Sequence, residues 1–242
     1  ALTAQAIGSL DQLSGGRLII GLGQGFDLPE TRREFAAAGA DFDTRTGRLV
    51  ETISLWRDTW TQAGDASMAR PYCRLDSETI LPRVVQAEGP PIWLAGFSPA
   101  SFERVGRLAD GWLPYPPSPD DYRAGWDAVQ RAAAVAGREA TAITPAVMVT
   151  INVGEHAASQ VALGRYVGEF YGYDLGLVSL IQACRAGNAD EILTFLREYW
   201  DAGARVFVLR LASLHAPEQQ LEAVADVVLP ALRLWSNELT GP

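Results

Sequence analysis

A glycine, a serine and a proline stand where a predicted strand meets a predicted helix, and residues of these types can bind a phosphate. The apolar run of residues 92–95 has the length of a buried strand, and Gly96, Phe97 and Ser98 follow it. Pro99 suits the first position of a helix, whose N-terminus attracts anions. The turn therefore predicts a phosphate site. These residues alone equally fit a turn in which Gly96 redirects the chain and Ser98 caps the helix.

A second glycine-rich segment, Gly23, Gln24 and Gly25, follows a predicted strand at residues 17–22. Its spacing does not match a dinucleotide-binding fingerprint, because Phe26 stands where the third glycine belongs. Crowding of the backbone at the end of a strand explains these glycines as well as a ligand does.

Several polar side chains lie at or after the ends of other predicted strands. Arg210 interrupts the apolar strand 206–211, where a guanidinium group can hold a phosphate or an acidic substrate, or form a buried ion pair. Asn152, His156 and His215 also follow strands, and for each of them a capping or solvent-facing role is the simpler interpretation. The pattern of residue types identifies no catalytic side chain.

Composition indicates one domain and disfavours polyanionic partners. The chain of 242 residues is 48% hydrophobic, which is enough to form one large core. We therefore expect a single domain over residues 1–242, with a polar excursion at residues 61–88. Its net charge is -9, and all 20 of its basic residues are arginines. This charge argues against nucleic acid or an anionic membrane as a partner.

Cysteine usage and hydropathy predict a cytoplasmic protein. Cys73 and Cys184 lie far apart and lack the spacing of a metal site, which suits a reducing compartment. No apolar run is long enough to span a membrane, and the first residues lack the pattern of a signal peptide. We therefore expect no metal site and no membrane segment.

Strands and helices alternate along the chain, which predicts a parallel sheet in either an open doubly wound fold or a β/α barrel. Five strands are expected, at residues 17–22, 92–95, 111–113, 146–153 and 206–211. Helices are expected at residues 2–13, 30–38, 44–60, 120–136 and 188–202, and after Pro99. Residues 154–186 read as mostly helical, and a last helix at 217–237 is expected to bend near Pro230.

Four segments resemble the bacterial-luciferase-like flavin-dependent oxidoreductases. They are LDQLSGGRLIIGLGQG at residues 10–25, PPIWLAGFSPAS at 90–101, RLADGWLP at 107–114 and DAGARVFVLR at 201–210, in the order in which the family has them. The resemblance implies an α/β fold of the (β/α)8 TIM-barrel type. It also implies FMN, or the deazaflavin coenzyme F420, as cofactor. Relatives act on a small organic substrate by hydride transfer or oxygen activation.

The resemblance also implies roles for the glycine-rich segments. In the family the turn that matches Gly96, Phe97 and Ser98 holds the flavin phosphate, and the loop that matches Gly23, Gln24 and Gly25 lies beside the coenzyme. Arg210 is a further candidate for binding the coenzyme, on the strength of its place at a strand end alone.

One departure from the family is large. Family chains begin with about three strand–helix units before the helix that matches residues 2–13, so we expect an incomplete barrel that lacks the N-terminal third. A flavin- or phosphate-binding barrel without catalysis is therefore an alternative to an enzyme, and an unrelated barrel isomerase or lyase with the same turn is another. Exposed edges of the strands 17–22 and 206–211, and the family's dimer helix at residues 2–13, predict a homo-oligomer, most simply a dimer.

Overall fold

The computed structural model describes residues 2–61, 71–72 and 82–240. Its strands are β1 (Ile20–Leu22), β2 (Ile92–Leu94), β3 (Gly111–Trp112), β4 (Thr144–Val153), β5 (Cys184–Gly187) and β6 (Val206–Leu211). Its helices are α1 (Leu2–Ser14), α2 (Pro29–Ala37), α3 (Arg45–Thr61), α4 (Pro99–Leu108), α5 (Pro119–Val135), α6 (His156–Tyr171), α7 (Leu175–Val178), α8 (Ala189–Asp201), α9 (Pro217–Ala223) and α10 (Leu229–Thr240). The chain divides into two compact units, Ala1–Ala95 with Leu108–Asp110, and Gly96–Arg107 with Gly111–Pro242.

The first unit contains β1 and β2, which pair in parallel with Leu22 opposite Leu94. Asp11 of α1 is fully buried, and its carboxylate accepts the backbone N–H of Val85 at 2.6 Å and that of Gln86 at 3.1 Å. A buried carboxylate needs such donors, because an ion without them is costly in an apolar interior. Asp11 therefore fixes the segment that leads into β2.

The second unit is built around β4, the longest strand. One stretch of β4 pairs with β3, another with β5, and residues 146–151 pair with β6, all in parallel. Val147, Val149 and Ile151 alternate along β4 and are almost completely buried on one face of the sheet. Parallel strands joined by helices place the carboxyl ends of β3, β4 and β6, and the loops that follow them, at the same edge.

All five predicted strands are present, most of them shorter than expected. The predicted helices are also present, with most ends shifted by a residue or two. The expectation for residues 154–186 was wrong at its end, where β5 pairs with residues 150–153 of β4. The sequence of β5, Cys-Arg-Ala-Gly, has little intrinsic preference for a strand, so the pairing with β4 decides its structure.

The last helix is interrupted where the sequence predicted a bend. A π-helical turn covers Val224–Val228 between α9 and α10. Pro230 has no N–H to donate to the carbonyl of Asp226, four residues earlier, which favours a wider turn at this place. No helix in the described ranges is long and apolar enough to cross a membrane. Residues 62–70 and 73–81 of the predicted excursion, including Cys73, lie outside the described residues.

Candidate functional site

The turn after β2 owes its glycine to contacts inside the protein. Gly96 has a φ angle of +127°, which residues with a side chain rarely adopt. A Cβ atom on Gly96 would lie 2.6 Å from Cβ of Ser101 and 2.9 Å from its Oγ. The expectation that the missing side chain serves the approach of a ligand is therefore incomplete, because the packing of Ser101 already requires a glycine.

Two serines form reciprocal hydrogen bonds at the start of α4. The backbone N–H of Ser98 donates to Oγ of Ser101 at 2.8 Å, and the N–H of Ser101 approaches Oγ of Ser98 at 3.3 Å. Ser98 thus caps the helix, which is the role that the sequence offered as an alternative to phosphate binding. The N–H groups of Phe97 and Ala100 donate to no acceptor within the described part of the chain, and both residues are exposed.

A tryptophan sets the direction of these amides. Nε1 of the buried Trp112 donates to the carbonyl oxygen of Gly96 at 3.1 Å, and the ring of Phe97 lies parallel to the indole with centroids 6.2 Å apart. In a trans peptide the C=O of Gly96 and the N–H of Phe97 point in opposite directions. Since the carbonyl faces the buried indole, the N–H of Phe97 faces away from it. This N–H and the start of α4 together present a partial positive charge to solvent.

The second glycine-rich segment lies in the first unit and contains two different glycines. Gly25 has a φ angle of +70°, and a Cβ atom there would lie 2.7 Å from Cγ2 of Thr31, so its type is fixed by the loop itself. A Cβ atom on Gly23 would meet only Cβ of Ala95, at an ordinary 3.9 Å. Packing within the described residues therefore leaves the place beside Gly23 open. Gln24 lies between the two glycines and is half-buried.

An ion pair holds the continuation of this loop. Nε of Arg32 in α2 donates to Oδ1 of Asp27 at 2.6 Å, and Nη1 of the same residue reaches Asp43 at 3.1 Å. The hydrogen bond from Arg32 lowers the pKa of the Asp27 carboxyl below its ordinary value. Both groups are exposed, so the pair orients the loop more than it stabilises the fold.

Arg210 lies among aromatic side chains of the second unit. Its Nη1 donates to the hydroxyl of Tyr171, and its Cζ lies 5.8 Å from the ring centroid of Tyr115 and 5.5 Å from that of Phe170. The buried ion pair that the sequence left open is not found among the described residues. No hydrogen bond or ring contact joins Arg210 to the described turn of Gly96, Phe97 and Ser98, so the structure does not show these candidates in one site.

Comparisons with known proteins identify the family. The sequence profile described as luciferase-like monooxygenase matches residues 1–221. The chain belongs to this family. Phthiodiolone/phenolphthiodiolone dimycocerosates ketoreductase of Mycobacterium bovis is 32% identical over 158 residues, which are 64% of this chain and 40% of that protein. F420-dependent glucose-6-phosphate dehydrogenase of Intrasporangium calvum is 35% identical over 116 residues, which are 47% of this chain and 33% of that protein.

A solved structure confirms the fold that the resemblance predicted for this luciferase-like chain. It is an F420-dependent secondary alcohol dehydrogenase in complex with an F420–acetone adduct. The two chains superpose with a TM-score of 0.78 at 18% identity, over 96% of this chain and 74% of the other. The chain thus has the fold of an incomplete (β/α)8 barrel. The matched stretches cover less than half of the length of the curated relatives.

The remaining candidates of this luciferase-like chain have structural partners or lie at the surface. The buried Asn152 donates through Nδ2 to the carbonyl oxygen of Ala212 at 2.8 Å, which ties β4 to the end of β6. Nδ1 of His156 lies 2.8 Å from Oε1 of Glu191 on an exposed surface, and His215 is exposed. Trp112 was not among the predicted site residues, although it orients the turn. The tryptophan that directly follows Asp-Gly in the family-like segment was the available signal.

Proposed function

We propose that this chain is part of an oxidoreductase that uses coenzyme F420 on a small organic substrate, and that the turn at Gly96, Phe97 and Ser98 binds the coenzyme phosphate. When bound, F420 supplies hydride transfer. The chain's own residues supply backbone amides and the start of α4. The observation that carries the proposal is the hydrogen bond from Trp112 to Gly96, because it points the N–H of Phe97 away from the core.

Family membership supports the reaction class, and the names of relatives support the coenzyme. The curated dehydrogenase and the solved alcohol dehydrogenase are both named as F420-dependent, and the mycobacterial relative is named as a ketoreductase. Two of these names, the ketoreductase and the secondary alcohol dehydrogenase, describe reduction of a ketone or oxidation of an alcohol. Such a substrate is the one we propose for this protein. FMN is the competing coenzyme, because the family resemblance implies either.

A charge introduced at the helix start tests the phosphate site without disturbing the turn. Ala100 is exposed in the first turn of α4, where a carboxylate interacts favourably with the helix dipole. Ala100→Asp should therefore leave the fold intact or more stable, while it repels a phosphate. We expect it to weaken coenzyme binding by at least about tenfold, which is about 1.4 kcal/mol. The neutral control Ala100→Asn should bind nearly as well as the original chain.

The measurement is a fluorescence titration of the chain and both variants with F420 and, separately, with FMN. Preferential binding of FMN would replace the proposed coenzyme. Equal affinity in Ala100→Asp and Ala100→Asn would remove the turn as the phosphate site. Absence of binding of either coenzyme to the original chain would overturn the proposal itself. Gly96 is unsuitable for this test, because a side chain there displaces Ser101 whether or not a ligand binds.

We also propose that α1 mediates self-association. Leu2 and Leu13 are 82% and 83% exposed on this helix, and Leu10 is also exposed. Apolar side chains left in water on one helix are typical of a protein–protein contact. Sedimentation analysis should show a dimer that Leu13→Glu dissociates, and a monomeric original chain at micromolar concentration would contradict this.

A further inference from the structure

The guanidinium group of Arg210 has more donors than partners. Of its five N–H groups, one at Nη1 donates to the hydroxyl of Tyr171 and one at Nη2 approaches Sδ of Met148 at 3.5 Å. A thioether is only a weak acceptor. No Asp or Glu within the described ranges lies at ion-pair distance from Arg210. Within this part of the chain a half-buried positive charge therefore remains uncompensated, with N–H groups left to bind an anion.

A chain of hydrogen bonds fixes the orientation of this guanidinium. The hydroxyl of Tyr171 donates to Oε1 of Gln182 at 3.2 Å, and Nε2 of Gln182 approaches Sγ of Cys184 at 3.6 Å. Gln182 is only 7% exposed, which keeps this arrangement in place. Because the single hydroxyl proton of Tyr171 goes to Gln182, its oxygen is the acceptor for Arg210. Tyr171 is thus a positioning residue for the arginine.

Aromatic and apolar side chains lie around the charge, and they are only partly buried. The ring centroids of Tyr115, Phe170 and Tyr171 lie 5.8, 5.5 and 5.7 Å from Cζ of Arg210. Within residues 146–153 of β4, Met148 is the one residue that is not buried, and Phe170 is 55% exposed. The rings attract a cation through their faces but carry no charge to neutralise it. The group of Tyr115, Met148, Phe170, Tyr171 and Arg210 is called the arginine cluster below.

We propose that the arginine cluster binds the carboxylate of an apolar organic acid. The planar fork of a guanidinium matches a carboxylate through two parallel hydrogen bonds, and the aromatic walls suit the apolar body of the same molecule. One positive charge balances one negative charge. A phosphate monoester fits less well, because its charge of about -2 exceeds what one guanidinium balances. The proposal rests on the function proposed above, since it describes the substrate of that enzyme.

Two probes that differ only in charge test this assignment. Naphthoate and its neutral analogue naphthamide have the same ring system, and their binding to the chain is followed by fluorescence with no coenzyme present. We expect naphthoate to bind at least about tenfold more tightly, as hydrogen bonds to a charged partner imply. Arg210→Gln should abolish this preference, and Tyr171→Phe should reduce it severalfold. Arg165→Gln, at an exposed arginine of α6, should leave it unchanged.

The fold of each variant is checked by thermal unfolding. If Arg210→Gln does not fold, Arg210→Lys takes its place, and it should keep a weaker preference because it retains the charge but not the fork. Equal binding of both probes by the original chain overturns the proposal. A loss in Arg165→Gln as large as in Arg210→Gln also overturns it. Displacement of naphthoate by inorganic phosphate at a lower concentration than by benzoate would make the cluster a phosphate site.

The two proposals can fail separately. The naphthoate titration reports only on the arginine cluster, and the coenzyme titration of Ala100→Asp reports only on the turn at α4. A chain that binds F420 and does not distinguish naphthoate from naphthamide keeps the proposed function and loses the acidic substrate. A chain that distinguishes the probes and binds neither coenzyme keeps an acid-binding cluster and loses the oxidoreductase.

Discussion

Oδ2 of Asp110 accepts the backbone N–H of Ile92 at 2.8 Å, and the carbonyl of Ile92 accepts the backbone N–H of Asp110 at 2.8 Å. The same carboxylate oxygen also accepts Nη2 of Arg57 at 2.8 Å. Asp110 therefore binds the first residue of β2, the strand that leads into the turn with Gly96. The aspartate of the family-like Ala-Asp-Gly-Trp segment thus has a structural task beside β2.

Loss of this carboxylate should destabilise the protein more than loss of its arginine partner. Asp110→Ala leaves the N–H of the fully buried Ile92 without an acceptor, which costs about 1–3 kcal/mol in the free energy of unfolding. Arg57→Ala removes an ion pair whose groups are about one-third exposed, together with the hydrogen bond from Nη2 of Arg57 to the carbonyl oxygen of Leu108 at 2.9 Å, and partly exposed pairs contribute about 0–1 kcal/mol. Urea denaturation measures both. Asp127→Ala, at an exposed aspartate of α5, is the control, and a larger loss in Arg57→Ala than in Asp110→Ala would contradict this reasoning.

A buried hydroxyl without a partner predicts a stabilising substitution. Tyr122 is fully buried against Trp112, and its hydroxyl has no hydrogen-bond partner in the described part of the chain. Burial also raises the pKa of this hydroxyl, so it stays neutral. Tyr122→Phe keeps the ring and removes the unsatisfied group. We expect the free energy of unfolding to stay unchanged or to rise by about 1 kcal/mol.

Tyr199 is the matched control for Tyr122. Its ring packs against that of Tyr122, but its hydroxyl donates to the carbonyl oxygen of Pro116 at 3.4 Å. Tyr199→Phe leaves that carbonyl without its partner and should cost about 0.5–1.5 kcal/mol. Chemical denaturation of both variants measures the sign of each change in the free energy of unfolding. If Tyr122→Phe proves less stable than Tyr199→Phe, the hydroxyl of Tyr122 has a partner after all.

The elements predicted best from the sequence are those whose apolar pattern agrees with the residues that begin and end them. Strand β4 is rich in β-branched residues and was predicted within two residues, and α8 begins at Asn188 with a capping box and ends before Gly203. Strand β5 was missed, because its existence depends on residues 150–153 of β4 rather than on its own residues. The cluster around Arg210 was out of reach for the same reason. Phe170 and Tyr171 lie about 40 residues before their partner in the chain, and no local pattern connects them.

Substitution by alanine should destabilise the protein at one glycine of the candidate site and change its stability little at another. Gly96→Ala forces a side chain onto a φ angle of +127° and against Ser101, which should cost about 2 kcal/mol or more. Gly23→Ala meets only Ala95 at 3.9 Å and should change stability by less than about 1 kcal/mol in either direction. Thermal unfolding measures the two changes.

Coenzyme titration of Gly23→Ala adds the functional half of this prediction. The family resemblance places the loop of Gly23 beside the coenzyme. Gly23→Ala should therefore weaken the binding of F420 while the protein keeps its stability. Normal binding together with normal stability would show that the open place beside Gly23 serves no ligand.

Part of the free energy of unfolding should depend on the ionisation of Glu191 and should therefore be lost in acid. Its Oε2 accepts the backbone N–H of Asn188 at 2.8 Å, and Nδ1 of His156 lies 2.8 Å from its Oε1. The hydrogen bond from Asn188, followed by that from His156, lowers the pKa of this carboxyl below its ordinary value. The folded chain therefore binds this proton less readily than the unfolded chain does. Its contribution is present above the ordinary glutamate pKa, about 4.3, and is lost as the pH falls through the lower value of the folded state.

The expected result is a difference between pH profiles. The midpoint of thermal unfolding, measured from about pH 3 to pH 6, should fall more steeply with acid in the original chain than in Glu191→Gln, which cannot titrate at this position. The two curves should converge at the acid end. Glu139→Gln, at an exposed glutamate between α5 and β4 whose side chain caps no helix, should follow the original profile. Parallel curves for the original chain and Glu191→Gln over the whole range would show that the carboxyl is not held in its ionised form by Asn188.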